Sequence, residues 1–74
     1  MAEAVLNSWT VDALAEFLNS QDLRGPAATL QGAGVNGSDF AAWTSAEELA
    51  ADLRLAPFTA RKLLACRDNF LGAS

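Results

Sequence analysis

The chain has 74 residues, of which 51% are hydrophobic, and a net charge of −4. At this length it can form one small domain with a modest core and little room for a buried active site. The acidic balance argues against a nucleic-acid partner, because phosphate binding depends on clustered Lys and Arg, and no apolar run approaches the length of a membrane span.

Alanine and leucine dominate the chain, and clusters of Gly, Pro, Ser and Asn interrupt it at short intervals. This pattern predicts several short helices and no strand. The first helix begins after Thr10, a residue suited to the N-cap, and ends at residues 19–21. Gly25-Pro26 predicts the start of a second helix, and Gly32 is its expected left-handed stop.

The middle of the chain predicts two more short helices. Ser38 is expected to cap a third helix of barely more than one turn, which carries Phe40 and Trp43. Ser45 is followed three residues later by Glu48, a capping-box pattern that opens a fourth helix.

Pro57 predicts the start of the last and longest helix. The apolar stripe of this helix consists of Ala60, Leu63, Leu64 and Leu71. Phe58 lies roughly 160° from the centre of that stripe. Two interpretations stay open: Phe58 folds back onto the preceding connection, or it is exposed and fits a pocket on another molecule. Arg67 falls near the stripe, and we expect its charged head at the edge of the core.

The charges are divided along the chain. Residues 1–53 carry eight acidic side chains and one basic side chain, a net charge of −7, whereas residues 54–74 carry four basic and one acidic, a net charge of +3. Opposite fields on one small domain steer a second copy into a head-to-tail encounter. The charge pattern therefore predicts self-association.

Five segments resemble the sterile alpha motif (SAM) family in their order and spacing. They are WTVDALAEFL (residues 9–18), VNGSDF (35–40), EEL (47–49), LRL (53–55) and RKLL (61–64). The resemblance implies an all-α fold, a five-helix SAM-like bundle with a long C-terminal helix. The domain would span residues 9–71, with an N-terminal extension over 1–8 and a C-terminal tail over 72–74. The chain departs from the family pattern in three places. The stretch between Gly37 and Leu49 is one residue longer than the usual pattern, Arg54 lies where a glycine is common, and Trp43 replaces a typical leucine.

SAM domains are chiefly protein-interaction modules, and many of them join through two different surfaces. The resemblance places the mid-loop surface at Asn36, Asp39, Glu47, Glu48 and Asp52. It places the end-helix surface at Pro57, Phe58, Thr59, Arg61 and Lys62. Because the two surfaces differ, their contact is heterologous and gives an open helical polymer unless its rotation closes a ring. The implied function is a scaffold built by head-to-tail self-association.

Two other partners stay open. One surface can meet a different SAM domain in another protein, and the sequence barely separates this from self-association. The family also includes members that bind RNA hairpins through basic residues, with Arg61, Lys62 and Arg67 as the nearest equivalents here. Two outward cations on an acidic domain make a poor phosphate-binding surface, so this alternative ranks lower.

The sequence does not predict an enzyme. The chain has no histidine to act as a general base or metal ligand, and its one cysteine, Cys66, lacks the imidazole that usually activates a thiol. We expect no cofactor, no metal and no small-molecule substrate. The lone cysteine fits a reducing compartment, and Glu3 lies where a signal peptide has basic residues, so we expect an intracellular protein. The large aromatic side chains are expected in the core: Trp9, Phe17, Phe40, Trp43 and Phe70.

Overall fold

A computed structural model describes residues 2–72, which form six α-helices and no strand. The helices are α1 (Ala2–Ser8), α2 (Val11–Ser20), α3 (Arg24–Gly32), α4 (Gly37–Ala42), α5 (Ala46–Leu53) and α6 (Pro57–Gly72). The all-α prediction is confirmed for these residues, and so is the long last helix that begins at Pro57. Of the expected tail, Gly72 is the last residue of α6, and Ala73 and Ser74 lie outside the described residues.

The structure has one helix more than the five that were expected. The additional helix, α1, lies within residues 1–8, which the resemblance to SAM domains predicts to be an N-terminal extension. Ala2 and Leu6, four residues apart on one face, are buried, and α1 packs against α4 and α6. One buried i,i+4 pair in a seven-residue segment is too short a pattern to predict a helix from sequence, and tertiary contacts supply most of the stability of α1.

The helices surround one core, in which α2 packs against α3 and α5 against α6. Its fully buried large side chains are Leu6, Leu14, Leu18, Leu30, Phe40, Leu49 and Leu63. Of the five aromatic residues expected in the core, Phe40 is fully buried, and the other four are half-buried and pack against the core from its edge. Trp9, Phe17 and Phe70 form an aromatic cluster whose ring centroids lie 4.9–5.3 Å apart.

The helix starts follow local side-chain chemistry. The hydroxyl of Thr10 accepts a hydrogen bond from the Ala13 amide, as predicted for the N-cap of α2. The prediction for α4 was wrong: Asn36, not Ser38, is its N-cap. The Asn36 side chain accepts from the Asp39 amide and the Asp39 carboxylate accepts from the Asn36 amide, which completes a capping box.

A residue in the left-handed conformation follows the last residue of α3 and of α5. Gly32 was expected to be the left-handed stop of α3, but it is the last helical residue, and the left-handed residue is Gly34, with φ of 75°. At the end of α5 the left-handed residue is Arg54, with φ of 55°. A glycine, which has no Cβ, adopts this conformation with less strain than Arg54 does.

Gly37 lies where the start of α4 meets the turn between α1 and α2. Its amide donates a hydrogen bond to the Trp9 carbonyl, and the Trp9 amide donates to the Leu6 carbonyl. A Cβ atom built at Gly37 would collide with the Leu6 carbonyl oxygen and the Trp9 side chain. The backbone of α4 therefore approaches the end of α1 at a distance that only glycine allows.

Replacing Gly37 with alanine is expected to lower the free energy of unfolding by about 1–3 kcal/mol, because the backbone must shift to admit the methyl group. The control is Gly32→Ala, an exposed helical position with open space around it. That change should leave stability unchanged or raise it by up to about 1 kcal/mol. Urea denaturation of both variants measures the difference, and equal effects would contradict the close approach.

Candidate functional site

The end-helix residues lie on the first two turns of α6. Pro57, Phe58, Arg61 and Lys62 are exposed, and Thr59 is half-buried. Phe58 has 64% of its surface exposed, which argues against its folding back onto the preceding connection. That it fits a pocket on another molecule stays a prediction. It faces solvent because Ala60, Leu63 and Leu64, on the opposite side of the helix, fill the core.

Two cations, Arg61 and Lys62, follow Phe58 on α6 at i+3 and i+4. The Lys62 ammonium lies 5.5 Å from the centroid of the ring, at the i,i+4 spacing that brings side chains together on a helix. Arg61 is exposed, and its guanidinium makes no hydrogen bond or ion pair within the described residues. The result is an apolar side chain with basic groups beside it, which is a composition suited to an acidic partner surface.

The mid-loop residues are exposed except for Asn36, which is half-buried. Asn36 and Asp39 satisfy each other in the capping box of α4. Their side chains therefore already stabilise this helix start, and a partner would meet only their remaining acceptor capacity.

Two of the three acidic side chains of α5, Glu48 and Asp52, have partners within the chain that the sequence did not indicate. The Asp52 carboxylate accepts a 2.8 Å hydrogen bond from the Trp43 indole, and the Glu48 carboxylate accepts one of 2.8 Å from the Thr44 hydroxyl. Asp52 and Glu48 are like charges at i,i+4, and these donors relieve part of their repulsion. The capping box expected at Ser45 is half formed: the Ser45 hydroxyl accepts from the Glu48 amide, while the Glu48 carboxylate bonds to Thr44.

Glu47 differs from its two acidic neighbours on α5. It is exposed, and its carboxylate has no hydrogen bond or ion pair within residues 2–72. Of the five predicted mid-loop residues it therefore has the carboxylate most available to a partner's cation.

Arg67 connects α6 to the far end of α4. Its guanidinium donates hydrogen bonds to the carbonyl oxygens of Phe40, at 3.2 Å, and Trp43, at 2.6 Å, and forms a 3.1 Å ion pair with Asp68. Only 12% of its side chain is exposed. The sequence placed Arg67 at the edge of the core, and the structure adds that its charge caps the end of α4.

Cys66 lies on α6 and is half-buried. Burial raises the pKa of its thiol above the ordinary value, because desolvation disfavours the thiolate. The side chain is therefore protonated at neutral pH. Within the described part of the chain, no group of three or more His, Cys, Asp or Glu residues is arranged to hold a metal ion. No helix there is both long and apolar enough to cross a bilayer.

Comparison with protein-family models, with curated proteins and with solved structures gives no match for this chain. The resemblance to SAM domains therefore stays a prediction that the five sequence segments carry.

Replacing Arg67 with methionine should lower the free energy of unfolding by about 1–3 kcal/mol, because the carbonyls of Phe40 and Trp43 lose a charged donor. The matched control is Arg61→Met, which removes the same charge from an exposed position and should change stability by less than about 0.5 kcal/mol. Chemical denaturation of the dilute proteins measures both values. If the two variants are equally stable, Arg67 does not anchor α4.

Proposed function

We propose that this chain is a protein-interaction module of the SAM type that self-associates head to tail, with the end-helix surface of one copy on the mid-loop surface of the next. The observation that carries the proposal is Phe58, a large aromatic side chain 64% exposed beside Arg61 and Lys62. No enzymatic role is proposed, and function here means binding.

The exposure of Phe58 is energetically significant for so small a domain. Burying a phenylalanine side chain fully contributes about 1.5–3 kcal/mol. In the monomer most of the Phe58 side chain is exposed, so most of this free energy is available to binding. Scattered exposed apolar residues are common on surfaces, but here the Lys62 ammonium lies 5.5 Å from the ring centroid and complements an acidic surface. Binding energy concentrates in a few such anchors, whereas exposed ion pairs contribute roughly 0–1 kcal/mol each.

Charge complementarity favours a second copy as the partner. Glu47, Glu48 and Asp52 lie exposed on α5, and Arg61 and Lys62 lie exposed on α6. Each copy therefore offers both halves of the contact. Because the halves are different surfaces, binding leaves one of each free and the assembly grows until a ring closes.

The two alternative partners are a different SAM domain and an RNA hairpin. A different SAM domain would use the same residues, and only measurement with the purified chain separates the two cases. An RNA hairpin is less favoured, because Arg67, one of the three cations considered for it, is largely buried against the Phe40 and Trp43 carbonyls. The two remaining cations, Arg61 and Lys62, supply little counterion release.

Sedimentation velocity across protein concentration tests self-association directly. We expect growth beyond a dimer as concentration rises, and a decrease in average size between about 0.05 M and about 0.5 M salt, because salt screens exposed charges. A monomer under every condition would contradict the homotypic contact and transfer the proposal to a heterotypic partner.

Replacing Phe58 with glutamate is expected to abolish self-association while the helical circular dichroism stays unchanged, because the side chain is exposed. Light scattering measures the size. Val5→Glu is the matched control: Val5, 47% exposed on α1, is the other large hydrophobic side chain exposed in the described residues, and its change adds the same charge elsewhere. Unchanged size for Phe58→Glu, or equal loss for both variants, would contradict the placement of the anchor.

A mixing experiment tests the head-to-tail geometry. Glu47→Lys should block the mid-loop surface without breaking an internal hydrogen bond, and Phe58→Glu should block the end-helix surface. Each variant alone is expected to be monomeric, and an equimolar mixture should form a dimer that grows no further, because one intact contact remains. A mixture that stays monomeric, or one that forms polymers, would contradict a contact between these two surfaces.

A further inference from the structure

A groove lies between α6 and the end of α2, and it shares Lys62 with the end-helix surface. Its volume is about 480 Å³. Phe17 and Leu23 line it from α2 and the turn that follows, and Ala65, Cys66 and Phe70 line it from α6.

The apolar wall of the groove is held in place by the aromatic cluster. The rings of Phe17 and Phe70 lie 5.3 Å apart, and both pack on Trp9. Both phenylalanines are nevertheless half-buried, since the sides that line the groove are not covered by the chain. The groove is therefore preformed by packed rings and offers apolar surface that folding has not used.

Among residues 2–72, Lys62 is the one ionised side chain that lines this groove, and no side-chain carboxylate of this range lines it. Lys62 shares a face of α6 with Ala65, Cys66 and Asn69, which follow it at i+3, i+4 and i+7. The side-chain amides of Gln21 and Asn69 complete the polar part of the lining. The Lys62 side chain lines the groove while its ammonium lies 5.5 Å from the centroid of the Phe58 ring, outside the groove lining. The ammonium can reach a ligand in the groove by a rotamer change, and its charge favours an anion with an apolar body over a cation.

We propose that the groove binds a small amphipathic carboxylate, with an aliphatic or aromatic body against Phe17, Leu23 and Phe70 and its carboxylate beside Lys62. The volume lies within the range of roughly 300–1,000 Å³ that is typical of small-molecule sites, as does a mostly apolar lining with few polar groups. This binding is separate from the proposed self-association, although Lys62 belongs to both sites.

Cys66 agrees with this interpretation and provides a reporter. Burial raises the pKa of its thiol, so the group is uncharged at neutral pH and adds no anion to the lining. A ligand in the groove covers Cys66 and should slow its alkylation by iodoacetamide.

The test uses the full chain, at a concentration at which it sediments as a monomer, with three probes: decanoate and decylammonium below their micelle concentrations, and decanol below its solubility limit. Amide chemical shifts in NMR titrations measure affinity and location. We expect decanoate to bind about fivefold more tightly than decanol, decylammonium to bind most weakly, and decanoate to slow Cys66 alkylation.

Two variants and a control separate the contributions. Lys62→Gln should reduce decanoate affinity to that of decanol, while Arg54→Gln, which removes the same charge from an exposed residue outside the groove, should leave it unchanged. Ala65→Trp fills the groove from an exposed position and should abolish binding of all three probes.

Equal affinity for the three probes in the unmodified protein would overturn the proposal, as would shifts that map away from the groove or the absence of saturable binding. Because the measurement is made on the monomer, these outcomes do not depend on whether the chain polymerises.

Discussion

The contact between Arg67 and the carbonyl oxygens of Phe40 and Trp43 is the interaction on which the arrangement of the surfaces depends. It attaches the long helix α6 to the end of α4, and Trp43 and Thr44 then donate hydrogen bonds to Asp52 and Glu48 on α5. Three helices are thus tied to one short connection. The exposed cations at the start of α6 and the exposed carboxylates of α5 are positioned by the same network that stabilises the fold.

The charged side chains differ in whether they have hydrogen-bond partners within the chain. Arg67 and the carboxylates of Asp39, Glu48 and Asp52 are occupied, wholly or partly, within the chain. Glu47 and Arg61 remain without internal partners among the described residues. A charge count over the sequence treats all of these groups alike, but their capacity to bind another molecule differs because a side chain already hydrogen-bonded must share or exchange its donor.

The aromatic residues differ in how far they are buried. Phe40 fills the centre, the cluster of Trp9, Phe17 and Phe70 closes one edge, and Phe58 faces solvent. The edge cluster leaves apolar surface in the groove beside α6, and Phe58 leaves apolar surface at the start of the same helix. A domain of this size buries a smaller fraction of its surface than a large one. Aromatic residues therefore occur both in the core and at the candidate sites.

The sequence by itself determined the all-α class, the start of α2 after Thr10, the start of α5 after Ser45 and the long helix from Pro57, because caps, proline and apolar spacing act over a few neighbouring residues. Only the tertiary structure decided that α1 forms, that Gly37 must approach Leu6, that Arg67 reaches Phe40 and that Phe58 is exposed. These depend on contacts between residues far apart in the chain, which no local pattern records.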